Sequence, residues 1–128
     1  MNKEIKFRTP YFDNQTHKFK MFSYWGRINH KGEYSTSCFT SPGTNSHAYP
    51  GADQQFTGSK DKNGNKELYD GDIITHSSRN GGKPHVVKWS DYLSGWIGDY
   101  GIQYGLIETE LQEIEIIGNI HENPELLK

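Results

Sequence analysis

Four aromatic rings, Trp89, Tyr92, Trp96 and Tyr100, stand close behind three cations, Arg79, Lys83 and Lys88. Between Ile73 and Ser90 no carboxylate opposes those cations, and His76 and His85 lie in the same stretch. Cations beside aromatic rings hold phosphates and stack bases, the pairing used for single-stranded nucleic acid. Exposed rings without a positive field serve protein contacts instead, where Trp and Tyr supply most of the binding energy. A net charge of −2 and a pI of about 6.3 favour the protein partner, because nucleic-acid binders rely on an excess of positive charge. Trp89, Tyr92, Trp96 and Tyr100 are therefore the expected partner-binding residues, and Arg79, Lys83 and Lys88 carry the nucleic-acid alternative. Alternation along a strand sends about half of such closely spaced rings into the core.

No other grouping carries chemistry as well. The six histidines, at 17, 30, 47, 76, 85 and 121, show no H-x-H or HExxH spacing, and Cys38 is the only cysteine. A structural zinc site usually draws its ligands from tight local pairs, which are missing here. Asp61, Asn63 and Asn65 alternate like the first ligands of a calcium loop, with Asp72 at the twelfth place. Such a loop needs glycine at its sixth position and Glu at its twelfth, and this chain has Lys66 and Asp72. Gly82-Lys83 is followed by Pro84 where a phosphate-binding loop needs Ser or Thr. No G-x-S-x-G or dinucleotide fingerprint occurs, so neither catalysis, a metal nor a cofactor is expected.

The elements that position these residues read as short strands. Fourteen glycines and five prolines in 128 residues interrupt the chain too often for long helices, since each disfavours a helix interior by about 1 and 3 kcal/mol respectively. Residues 4–8 and 19–24 read as strands around a turn at 13–16, and 26–34 as a further hairpin. Residues 40–53 read as a long loop, giving an N-terminal β-rich extension over 1–53 and a second domain over 54–128. Asn63-Gly64 signals a type I′ hairpin. Residues 72–76 and 84–89 flank a permissive turn and pair antiparallel, which sets His76 and His85 near each other. A short third strand runs through 95–97. Tyr100, Ile102, Tyr104 and Leu106 alternate with smaller residues as a strand with one packed face. Thr109 caps a single helical turn, Ile114 and Ile116 belong to a final strand, and Asn123-Pro124 opens a terminal one-turn helix.

Two stretches identify a family. Phe56-Thr57-Gly58-Ser59-Lys60-Asp61-Lys62-Asn63-Gly64, followed by Glu67, Tyr69 and Gly71-Asp72-Ile73, and the closing Ile117-Gly118-Asn119-Ile120-His121-Glu122-Asn123-Pro124-Glu125-Leu126-Leu127 resemble the YopX-like proteins of phages and prophages of Gram-positive bacteria. Ile5-Lys6-Phe7-Arg8 fits the family's opening, although Thr9-Pro10-Tyr11 stands where an Ala-Trp is common. The resemblance covers the first 25 residues or so loosely and 56–128 well; residues 26–55 match nothing specific. It implies an all-β chain with an SH3-like barrel over 54–128, Gly71-Asp72-Ile73 leading into its first strand, and no activity to carry over.

Charge and hydropathy complete the expectation. Residues 1–40 contain seven Lys or Arg against three acids, and 108–128 six Glu against Lys128 alone. Such a split suits either solvated faces or association between copies. No run approaches the about 18 apolar residues of a membrane helix, and the N-terminus has no secretory core. A cytoplasmic phage accessory protein, acting on a host protein or as a homo-oligomer, is the expected class.

Overall fold

The computed structural model describes residues 5–27, 34–35, 48–62, 64 and 66–128. It is all-β, in two compact units, Met1–Gly58 and Ser59–Lys128. The expected division at 53/54 falls a few residues earlier than this one, at the start of a strand that pairs back into the first unit.

In the first unit β1 (Ile5–Asp13) and β2 (Phe19–Arg27) form a long antiparallel hairpin. Its turn is built by Asp13, whose carboxylate accepts the N–H groups of Gln15 and Thr16. Those two bonds hold the Asp13 carboxyl below the usual carboxylate range. β3 (Tyr34–Ser35) pairs with β2, while β4 (Ala48–Pro50) and the start of β5 (Gln54–Lys60) pair with β1. β4 lies inside the stretch read as loop. Three residues with a proline show no strand period, and what orders them is tertiary: Tyr49 packs on Phe12 at 5.6 Å and Gly51 N–H reaches Pro10 C=O at 2.8 Å. Two side-chain hydrogen bonds pair polar groups buried or part-buried between these strands. Arg8 Nε donates to Gln54 Oε1 at 2.7 Å, and Trp25 Nε1 to Thr9 Oγ1 at 2.8 Å.

The second unit opens with a reversal between Asp61 and Lys66 into β6 (Glu67–Tyr69). Gly64 takes the expected positive φ, +67°. Its N–H donates to Asp61 C=O at 2.9 Å and Asp61 N–H to Lys66 C=O at 3.1 Å, so Gly64 ends a turn opened by Asp61 and is not the centre of a two-residue type I′ turn. Space around Gly64 is open, with no heavy atom within 4 Å of a built Cβ. Gly64→Val is therefore expected to destabilise through backbone strain alone, by about 1–2 kcal/mol. A denaturant midpoint equal to wild type would rule this strain out.

Five strands follow: β7 (Asp72–His76), β8 (His85–Ser90), β9 (Gly95–Asp99), β10 (Gln103–Gly105) and β11 (Ile114–Asn119), the last preceded by α1 (Glu108–Leu111). They form one antiparallel sheet in the order β10-β9-β8-β7-β11. That is the order expected of an SH3-like meander, but the ladder stays open. β10 and β11 are its two edges, and Ile114 C=O accepts from Lys62 N–H, not from β10. Leu68, Ile74, Val87, Tyr104, Ile114 and Ile116 make the core, with Trp96, Tyr100, Leu106 and Leu111 packed against it.

Three expectations shift here. The strand read over 100–107 shrinks to β10, because Asp99 accepts Gly101 N–H and Tyr100 N–H turns back to Ile102 C=O, which leaves Ile102 61% exposed. α1 begins at Glu108 with Ile107 at its N-cap, so Thr109 lies inside the turn instead of capping it. At the C-terminus Pro124–Leu127 forms the expected short helix, of 3-10 type, but the Asn123 side chain accepts the Asn119 N–H and does not cap it. Among the described residues no helix is long and apolar enough to cross a membrane.

Candidate functional site

The β8–β9 hairpin separates the four expected rings into two pairs. Trp89 and Trp96 face each other in register, their rings edge to face at 5.3 Å. Trp96 is half-buried against the core, and Tyr100 likewise packs inward, edge to face with His85 at 5.3 Å. Trp89 is 51% exposed and Tyr92 93% exposed. Next to them Leu93, which sequence reasoning missed, is 47% exposed. The available signal was an apolar residue amid Ser90, Asp91, Ser94 and Gly95, in a turn that needs none.

This surface is held in place. Trp89 Nε1 donates to Asp91 Oδ1 at 2.9 Å, and Leu93 N–H to Ser90 Oγ at 3.1 Å. With its ring packed on Trp96 and its nitrogen bonded, Trp89 has little rotamer freedom left to lose on binding.

The three cations are spoken for differently. Arg79 Nε and Nη2 hold the two oxygens of Glu110, at 2.8 and 3.2 Å. Lys88 Nζ lies 3.4 Å from Asp99 Oδ2. Lys83 is exposed. The segment 73–90 carries no acid, yet the fold brings Glu110 and Asp99 to it from elsewhere.

Around Arg79 the sheet buries a polar cluster. His76 Nε2–H donates to Glu110 at 2.8 Å, while Ser78 N–H donates to His76 Nδ1 at 2.9 Å. The Arg79 guanidinium lies 4.3 Å over the Tyr104 ring, and the Tyr104 hydroxyl is 2.5 Å from His85 Nε2. His85 Nδ1–H donates to Lys83 C=O at 3.2 Å. Because a carbonyl only accepts, this places the ring hydrogen on Nδ1 and makes Tyr104 the donor to Nε2. Hydrogen bonds from Arg79, then from His76, hold the Glu110 carboxyl below the usual carboxylate range. Burial pushes His85 below the ordinary imidazole value and Tyr104 above the ordinary phenol value. His76 and His85 are thus close without being paired, since Ile74 is the residue opposite His85.

Among the described residues no three His, Cys, Asp or Glu side chains gather as a metal would require. His30, Cys38, His47, Asn63 and Asn65 lie outside those residues.

The sequence profile of the family described as "YopX protein" matches residues 6–128. The chain belongs to the YopX family. The match runs through 26–55, where no specific resemblance was read. The YopX signatures include two turns and the strand ends beside them. In Tyr69-Asp70-Gly71-Asp72 the buried Asp72 carboxylate accepts Tyr69 N–H at 2.7 Å, and Gly71 N–H donates to Val87 C=O. In the terminal signature Asn119 Oδ1 accepts the N–H groups of His121 and Glu122. These residues set backbone geometry through bonds to their own near neighbours.

A solved structure, the "Crystal structure of protein EF1440 from Enterococcus faecalis", is similar to this YopX chain at a TM-score of 0.56 and 23% identity. It covers 97% of this chain and 98% of its own, and so supports the fold. No curated protein sequence matches the chain.

Proposed function

We propose that this YopX family member is a non-enzymatic accessory protein of a phage or prophage, working in the host cytoplasm by protein interaction. Its contact surface is the hairpin tip formed by Trp89, Tyr92 and Leu93, and its partner is a host protein or a second copy. The observation that carries this reading is the exposure of two rings and a leucine side by side on a pre-ordered hairpin. Rings of this kind anchor interfaces because each buries much area with few torsions to freeze. Of the two rings expected beside them, Trp96 supports Trp89 from the paired strand, and Tyr100 packs inward on His85.

Nucleic acid is the weaker reading. A phosphate would have to displace Glu110 from Arg79 and Asp99 from Lys88, which removes much of the gain from binding it.

The test is a Trp89→Ser/Tyr92→Ser double variant, compared with wild type by sedimentation and by recovery from lysogenic cells. The variant is expected to fold, since both side chains are largely outside the core, and to lose self-association or its partner by at least about 100-fold, the effect of two modest hot spots. Undiminished association would place the interface elsewhere. Binding of DNA or RNA at physiological salt, abolished in an Arg79→Ser/Lys83→Ser/Lys88→Ser variant, would overturn the protein reading in favour of nucleic acid.

A further inference from the structure

We propose that His85 is an acid-sensitive latch: with its ring neutral it ties edge strand β10 across β9 to β8, and on protonation it lets β10 open from the sheet. The tie is unusual in its path. β9 lies between β8 and β10, so no backbone ladder joins those two strands. Tyr104 bridges them with its side chain. Its ring lies over Gly98, the residue paired with it on β9, and its hydroxyl reaches His85 on β8 at 2.5 Å. β10 is only three residues long and an edge, so its ladder alone holds it weakly. The latch therefore contributes a large share of what keeps β10 in place.

Protonation turns each of these contacts against the closed state. A charged His85 has hydrogen on both nitrogens and cannot accept from Tyr104. The hydroxyl must then turn to accept, leaving its own hydrogen without that acceptor in a buried site. The new charge also sits at a position only 1% exposed. Charged and titratable groups face it from the elements packed around it. From β7 comes His76; from the β7–β8 turn come Arg79 and the Lys83 carbonyl; from β9 comes Asp99; and beside β10 stand Tyr100 and Tyr104. Arg79, and His76 when charged, oppose the new charge. α1 supplies Glu110, but its carboxylate is already shared by Arg79 and His76. Asp99 favours the charge and is itself tied to Lys88 at 3.4 Å. The direction follows from burial, which depresses the His85 pKa below its ordinary 6.5. The unfolded or opened ring takes up a proton as pH falls through about that value while the closed ring resists. Closed-state stability is thus fully present above it and is lost progressively below it. Opening a three-residue edge is the least costly way to hydrate the ring.

The experiment is amide hydrogen exchange at pH 7 and pH 5, corrected for intrinsic rates. Protection at Tyr104 and Leu106, whose N–H groups face β9, is expected to fall about tenfold per pH unit once the window is entered, while β7 and β11 keep theirs. His85→Gln, which retains an acceptor for Tyr104 without a titrating ring, is expected to flatten the response. Tyr104→Phe is expected to lower β10 protection already at pH 7. If His85→Gln fails to fold, the wild-type imidazole resonances supply the check, because the loss of β10 protection must follow the His85 titration. A drop shared equally by β7 and β11, a response retained in His85→Gln, or one that follows His76 would overturn the latch.

Discussion

A chain lacking residues 114–128 is expected to fail to fold its second unit. β11 supplies Ile114, fully buried, and Ile116, nearly so, to the core cluster they form with Leu68, Ile74, Val87 and Tyr104. Burying each isoleucine contributes about 1.5–3 kcal/mol, so the two together approach the low end of the about 5–15 kcal/mol by which whole domains are stable. The ladder to β7 is lost as well, from Ile114 opposite His76 to Asn119 opposite Asp72, exposing an apolar central strand as an edge. Aggregation, or an amide NMR spectrum without dispersion for residues 67–105, is the expected result. A soluble truncated chain with dispersed signals there would show that β11 is a detachable addition. The loss follows from the strand's place beside β7, which it shields.

Gly98→Ala is expected to destabilise by about 1–3 kcal/mol, the usual cost of forcing an extra methyl into a packed core. A Cβ built at Gly98 overlaps the Cε1, Cζ and hydroxyl of Tyr104. Tyr104 is buried and held on both sides, by His85 at its hydroxyl and by Arg79 over its ring, so it cannot step aside without giving up both. The variant should therefore also loosen β10 while leaving β11 in place. A denaturant melt measures the first effect and amide exchange the second. Pairing the change with Tyr104→Leu should recover part of the loss relative to the sum of the single variants, because the clash is then relieved. Strict additivity of the two changes, or an unchanged midpoint in Gly98→Ala, would show that the ring has room to move.

The short strands, their order in the second unit and most turn positions were legible because they depend on local rules. Glycine and proline exclude long helices, Asp13 builds its turn from its nearest neighbours, and Ile114 and Ile116 alternate with Glu113 and Glu115. Where local pattern misled, a contact from far along the chain had overridden it. β4 exists because Tyr49 meets Phe12, and the alternation at 100–106 breaks because Asp99 captures Gly101.

The same division holds for the candidate site. Residue types alone pointed to an all-β chain and marked a ring-rich segment as its binding candidate, since composition and turn chemistry act within a few residues, while the family rested on the resemblance of two signature stretches and on the profile match. Which rings face outward was decided by tertiary structure. Trp89, Trp96 and Tyr100 are alike in sequence, and packing against the core cluster takes up Trp96 and Tyr100 while Trp89 stays exposed. The cations changed meaning for the same reason. Arg79 and Lys88 lie in a stretch with no acid, and folding brings Glu110 and Asp99 to them across 31 and 11 residues. Electrostatic partners act over ångströms in space and leave no trace in local sequence spacing.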